Sequence, residues 1–277
     1  MRHFFIVICS FLVLGSYAHS NELQPLERFD WKRVMEAAPS ASVSNEINHY
    51  RLFVLFRASK KPYEDTPESQ KFFENHLQKA QALTSDAAVM RFASDAVKLK
   101  EGFIVEMGVG SGRTMNFISA LNPEKVVYGF DSFKGLPHVW QRADKDFPIG
   151  TFAYKNAEQG IQVATLTNGV VYPGMFKDVL PVFKQQVLKD TPVAFMHIDC
   201  DIYESTKDTF DALGDNIVAG TVIVFDELFN YPGYENHEWK AFQEFLQEKN
   251  LSAKFLAFNR FHEQVAVMIT DKFKEEL

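Results

Sequence analysis

Residues 103–114 read Phe-Ile-Val-Glu-Met-Gly-Val-Gly-Ser-Gly-Arg-Thr, and no other stretch constrains the fold as tightly. An apolar run ends in an acid, Glu106. Glycines then occupy alternate positions, Gly108, Gly110 and Gly112. Met115, Phe117, Ile118 and Leu121 follow at helical spacing. The pattern is strand, glycine turn, helix. Glycines remove the Cβ, so backbone N–H groups can come close to a nucleotide-like ligand. A dinucleotide fingerprint would need its third glycine at position 113, where Arg113 stands. The plain alternative is a glycine turn that only ends a buried strand.

Three later segments repeat the strand-then-acid pattern. Residues 125–131 read Lys-Val-Val-Tyr-Gly-Phe-Asp. Asp131 at the end of such a strand can accept hydrogen bonds from ribose hydroxyls. It can also cap a turn, because Ser132 follows and Gly135-Leu136-Pro137 closes the loop. Residues 192–201 end in Asp199-Cys200-Asp201, and residues 220–227 end in Asp226-Glu227. Strand alternation puts Asp199 and Asp201 on one face, with His197 on the same side. In an open α/β sheet, ligands bind beyond the carboxyl ends of the strands. Four carboxylates gathered there would repel one another and raise each other's pKa values. A hard divalent cation such as Mg²⁺ would stabilise them. The alternative is four unrelated loop acids.

Gly-x-Gly-x-Gly preceded by an acid resembles motif I of class I S-adenosylmethionine (SAM) methyltransferases. Three further stretches make the resemblance specific. They are Gly-Phe-Asp-Ser-Phe-Lys-Gly-Leu-Pro at 129–137, Pro-Gly-Met-Phe-Lys-Asp-Val-Leu-Pro at 173–181, and His-Ile-Asp-Cys-Asp-Ile-Tyr-Glu-Ser-Thr at 197–206. Together they are similar to the macrocin O-methyltransferase family, over roughly residues 85–270. Catechol O-methyltransferase resembles the chain more distantly. The resemblance implies a SAM- and Mg²⁺-dependent enzyme methylating a hydroxyl of a sugar or other small molecule. It implies a cofactor set of Glu106, Gly108, Gly110, Gly112, Asp131 and Ser132. It matches Asp199, Asp226 and Glu227 to metal ligands and Asp201 to a general base. Glu227 stands where Asp or Asn is usual. The aromatic-rich residues 230–239 are expected near the acceptor. Tyr203, Tyr231, Tyr234 and Trp239 are candidate acceptor contacts, although such residues also serve as core. His197 is expected as a core residue, or as a supporting group or alternative base.

The implied fold is α/β: a Rossmann-like, seven-stranded methyltransferase sheet with helices on both faces, an antiparallel last strand and an N-terminal helical cap. Strands are expected near 103–108, 125–131, 169–173, 192–200, 221–226, 253–258 and 264–270. Helices are expected near 44–60, 67–98, 113–121, 176–188, 204–217 and 235–249. Only residues 259–263 separate the last two strands, which reads as a hairpin. A net charge of −7 argues against a nucleic-acid partner.

The N-terminus adds a targeting signal. A basic Met1-Arg2-His3 precedes an apolar run and a small-x-small site ending at Ala18. The run is short for a membrane span, so residues 1–18 are expected to be a cleaved signal peptide, with no stable span afterwards, an uncleaved anchor being the alternative. Residues 19–98 then form an N-terminal segment and helical cap, and 99–277 the methyltransferase domain. Residues 38–48 look like a linker. Cleavage would remove Cys9 and leave Cys200 with no partner for an internal disulfide. The terminal Lys-Glu-Glu-Leu resembles an endoplasmic-reticulum retention signal. Location is therefore expected to be extracytoplasmic: the reticulum lumen in a eukaryote, the periplasm or medium in a bacterium. A homo-oligomer is compatible with the sequence. Two other readings stay open: an exported non-catalytic module that keeps the fold and binds a ligand or partner, and a nucleotide-dependent oxidoreductase, which Arg113 disfavours.

Overall fold

The computed structural model describes residues 23–25, 29–30, 62–143, 145–154 and 163–272. The expected signal segment, the linker, the helix near 44–60 and the Lys-Glu-Glu-Leu tail lie outside the described residues.

Eight strands form the main sheet: β1 (Gln81–Leu83), β2 (Phe103–Met107), β3 (Val127–Asp131), β4 (Gly169–Pro173), β5 (Val193–Ile198), β6 (Val222–Phe225), β7 (Leu251–Asn259) and β8 (Val265–Asp271). Their order is β1-β7-β8-β6-β5-β2-β3-β4. All neighbouring pairs are parallel except those of β8, which runs antiparallel to both β6 and β7. The hairpin and the antiparallel last strand read from the sequence are present. The central strands are mostly apolar because both of their faces are covered, with Glu106 of β2 and His197 of β5 as buried polar exceptions. All six residues of β5 are buried.

The helices are α1 (Pro67–Phe72), α2 (Asp86–Ala96), α3 (Arg113–Leu121), α4 (Phe176–Phe183), α5 (Tyr203–Leu213) and α6 (Glu238–Glu248). One apolar cluster joins α4, α5 and α6 to one sheet face through Leu180, Phe183, Phe210, Phe242 and Phe245. A second joins α2 and α3 to the other face through Val89, Met90, Met115 and Ile118. Phe183 is fully buried edge-on against Phe130, with ring centroids 4.8 Å apart. Truncating such a residue to alanine costs about 3–5 kcal/mol.

The single helix expected over 67–98 is instead four elements. Thr66 caps α1, its Oγ1 accepting from the Ser69 N–H, with Pro67 in the first turn. A π turn over Phe73–Leu77 ends that segment. Gln81–Leu83 then adds β1 to the sheet edge, parallel to β7. Ser85 caps α2 by accepting from the Ala88 N–H. The Ser85-Asp86 start signal stood in the sequence. What it could not show was the open edge of β7 that recruits β1. The sheet is thus one strand larger than expected. It also crosses the domain boundary expected at residue 99.

Candidate active site

The glycine turn is closed by the residue expected to read a ribose. The Asp131 carboxylate accepts from three backbone N–H groups: Val109 at 2.9 Å and Gly110 at 2.7 Å on Oδ2, and Phe133 at 2.7 Å on Oδ1. A charged acceptor bonded to several amides fixes backbone firmly. The three glycines do different work. A Cβ on Gly108 would sit 1.7 Å from the Asp199 carbonyl oxygen, so Gly108 lets β2 and β5 end side by side. A Cβ on Gly110 would meet nothing within 4 Å and would project into open space. Gly112, with φ +80°, turns the chain into α3. All three have positive φ, which glycine adopts without steric cost.

A cavity of about 480 Å³ opens at this end of the sheet. Its walls include Gly108, Gly110, Ser111, Asp131 and Ser132 on one side and Asp199, Asp201 and Glu227 on another. Trp140, Arg142, Phe152, Met175 and Phe176 complete the apolar and cationic wall. Glu106 and Gly112 are not on it. Glu106 is fully buried beneath, where its Oε1 accepts from His197 Nδ1 at 2.9 Å. β2 and β5 set Glu106 directly opposite His197, so the contact follows from register.

The carboxylates gather as the sequence implied, but in two overlapping groups. One oxygen from each of Asp199, Asp201 and Glu227 lies within 4.8 Å of the others. Ligand atoms of His197, Asp199 and Asp226 form a second group with the same spacing. Asp199 belongs to both. Asp226 is buried, and its Oδ1 accepts from Gln264 Nε2 at 2.8 Å. β5 ends at Ile198, so strand alternation is not what brings Asp201 toward Asp199. A left-handed residue does, because Asp201 has φ +67°. Such backbone in a non-glycine residue is uncommon and costs energy.

The site is strongly acidic. Burial, together with the charges of Asp226, Asp201, Asp199 and Glu238, pushes the Glu227 carboxyl well above the usual carboxylate range. Burial and the charges of Asp201, Asp226 and Asp199 do the same to Glu238. Glu238 accepts from the Glu227 backbone N–H at 3.2 Å, and its Oε1 is buried with no hydrogen-bond partner. Burial also raises Glu106, more than its bond to His197 lowers it. For His197 burial pulls the pKa down, but the Glu106 hydrogen bond and nearby carboxylates outweigh it, and the imidazole lies above its ordinary value.

The aromatic candidates go elsewhere. Tyr231, Tyr234 and Trp239 are buried in the core and do not line the cavity. Tyr234 and Trp239 pack edge-on against Phe72 of α1. The Tyr203 hydroxyl donates to Glu244 Oε2 at 2.7 Å, a bond that helps push its pKa up to about 12. The cavity aromatics are Trp140, Phe152 and Phe176. The Arg142 guanidinium lies 4.2 Å over Tyr231 and pairs with Glu263 at 3.0 Å. Nothing in the local pattern marks Arg142, Glu238, Glu263 or Gln264. Each is brought in by a loop or helix distant in sequence. Cys200 is buried against the Thr206 hydroxyl at 3.5 Å, and burial pushes its thiol well up, so it packs.

Residues 80–261 match the model of the macrocin-O-methyltransferase (TylF) family. Among solved structures, the chain is similar to CalS11, a calicheamicin methyltransferase. The identity is 19% and the TM-score 0.52, covering 84% of this chain and 94% of that one. It is also similar to the O-methyltransferase NovP at 22% identity and TM-score 0.47, covering 66% and 78%. No curated protein sequence matches.

Proposed function

Because the chain belongs to the macrocin O-methyltransferase family, and so is a SAM-dependent O-methyltransferase, we propose that it methylates a hydroxyl of a sugar or other small molecule with the help of a divalent cation. One observation carries the metal reading. Glu227 Oε2 is buried without a hydrogen-bond partner, next to Asp199 and Asp201. Buried carboxylates crowded together are costly unless something cationic compensates them. A hard, oxygen-only donor set fits Mg²⁺. By the family resemblance the residues that would hold it are Asp199, which belongs to both carboxylate groups, with Asp226 from one and Glu227 from the other. Bound there, the cation supplies Lewis acidity that lowers the pKa of a hydroxyl.

The remaining work belongs to the chain. Gly110, Ser132 and Asp131 on the cavity wall hold SAM, with Gly108 and Gly112 shaping the turn. Glu106 acts from beneath, through His197. Asp201, half-exposed on the cavity wall, accepts the hydroxyl proton. SAM would supply an electrophilic methyl group with a neutral thioether as leaving group, and the cavity walls would orient the acceptor hydroxyl toward it. We further propose that residues 1–18 are removed on export.

The test is methylation of a panel of sugars, glycosides and catechols with and without chelator. EDTA is expected to abolish turnover, and Mg²⁺ to restore it. Full activity in EDTA refutes the metal reading.

A further inference from the structure

Behind the carboxylate cluster runs a buried hydrogen-bond chain with only one permitted direction. Asn259 ends β7 and Gln264 precedes β8, so both belong to the hairpin. Both are buried, at 0% and 1% exposure. Asn259 Nδ2 donates to Asp86 Oδ1 at 2.7 Å and to Gln264 Oε1 at 3.0 Å. Asn259 Oδ1 accepts from the Phe261 N–H at 3.0 Å. A carboxylate only accepts and a backbone N–H only donates. Asp86 and Phe261 therefore fix which way the Asn259 amide faces. Its second N–H then fixes Gln264, whose oxygen is taken and whose Nε2 must donate to Asp226 at 2.8 Å.

We propose that Gln264 is a positioning residue for the metal site: it holds Asp226 as an oriented oxygen ligand of the divalent cation, with its amide polarity set from Asp86 through Asn259. The chemistry favours an amide at this position. A lysine or arginine would also donate, but its positive charge would compete with a cation. A neutral donor stabilises the carboxylate and leaves its charge available. Asp226 gains from such a donor because it is almost fully buried, where a carboxylate oxygen is costly to leave without hydrogen bonds. The chain also ties the site to α2, an element with no residue on the cavity wall. Partners that orient metal ligands in this way carry about 10–100-fold in metal affinity.

The inference rests on the metal reading, and the experiment separates the two. Mg²⁺ is titrated calorimetrically into metal-free wild type and the Gln264→Met and Asp86→Asn variants. SAM affinity and melting temperature are measured in parallel. Gln264→Met keeps the side-chain length but removes the donor. It is expected to lose about tenfold or more in Mg²⁺ affinity, with SAM affinity unchanged and turnover recovering as Mg²⁺ is raised. Asp86→Asn releases the direction of the chain from outside the cavity and is expected to show a smaller loss in the same sense. It carries the test if Gln264→Met fails to fold. Unchanged Mg²⁺ affinity in folded variants overturns the proposal while leaving the metal reading intact. A wild type that binds no Mg²⁺ overturns both.

Discussion

Gly110→Ala separates ligand contact from folding. The added Cβ finds no protein atom within 4 Å, so it causes no internal clash. It does have to hold φ near +51°, a left-handed conformation. That costs an L-residue about 1–2 kcal/mol. For a domain of this size the melting temperature should fall by about 2–4 °C per kcal/mol. The methyl group projects where a ligand on the turn must lie, so SAM affinity should fall about tenfold or more, which is about 1.4 kcal/mol or above. Gly108→Ala is the contrasting variant. Its Cβ would overlap the Asp199 carbonyl at 1.7 Å, so β2 and β5 must part. Overpacking of this kind costs about 3 kcal/mol or more, and it should damage folding before binding can be read. The assay is SAM calorimetry on the purified chain beside a thermal melt. A folded Gly110→Ala protein that binds SAM as tightly as wild type would refute the assignment of this turn.

Asp199→Asn and Asp226→Asn should lose Mg²⁺ affinity and activity together. Asp201→Asn should keep both SAM and Mg²⁺ while the rate falls by ~10²–10⁴. Calorimetry with single-turnover kinetics checks the division, and loss of Mg²⁺ binding in Asp201→Asn would make Asp201 a ligand. His76, half-buried among Phe72, Trp239 and Phe255, has its pKa lowered by burial. The unfolded chain therefore binds the proton first, and stability should fall as pH drops below about 6.5. Thermal melts across that range should show a shallower fall in His76→Phe; an identical pH dependence would remove His76 from the account. Intact-mass measurement of protein from its native host should find a mature chain beginning near His19 or Asn21, whereas a soluble cytosolic chain retaining Met1 rules export out.

The sequence alone determined what is local. The run from Phe103 to Thr114 could only be strand, turn and helix, because alternate glycines permit positive φ and the following apolar spacing suits a helix. The runs ending at Asp131, Asp199 and Asp226 are strands for the same kind of reason. Parallel strands in one sheet put their carboxyl ends at one edge, so the gathering of acids was legible in the sequence. The short link between the last two strands dictated the hairpin.

Tertiary structure decided whatever depends on a partner distant in the chain. Residues 81–83 carry no strong strand pattern and become β1 only because β7 leaves an edge to pair with. The Asp131 carboxylate could have faced a ribose or a turn, and the N–H groups of Val109 and Gly110 occupy one of its oxygens. Tyr231, Tyr234 and Trp239 could have met an acceptor, but Tyr234 and Trp239 pack inward against Phe72 of α1, and Arg142 covers Tyr231. Glu238 and Gln264 looked like ordinary polar residues on a helix and a hairpin. Their roles arise from burial beside Glu227 and Asp226. Periodicity records which face of an element is apolar. It does not record which polar group will be waiting when two elements meet.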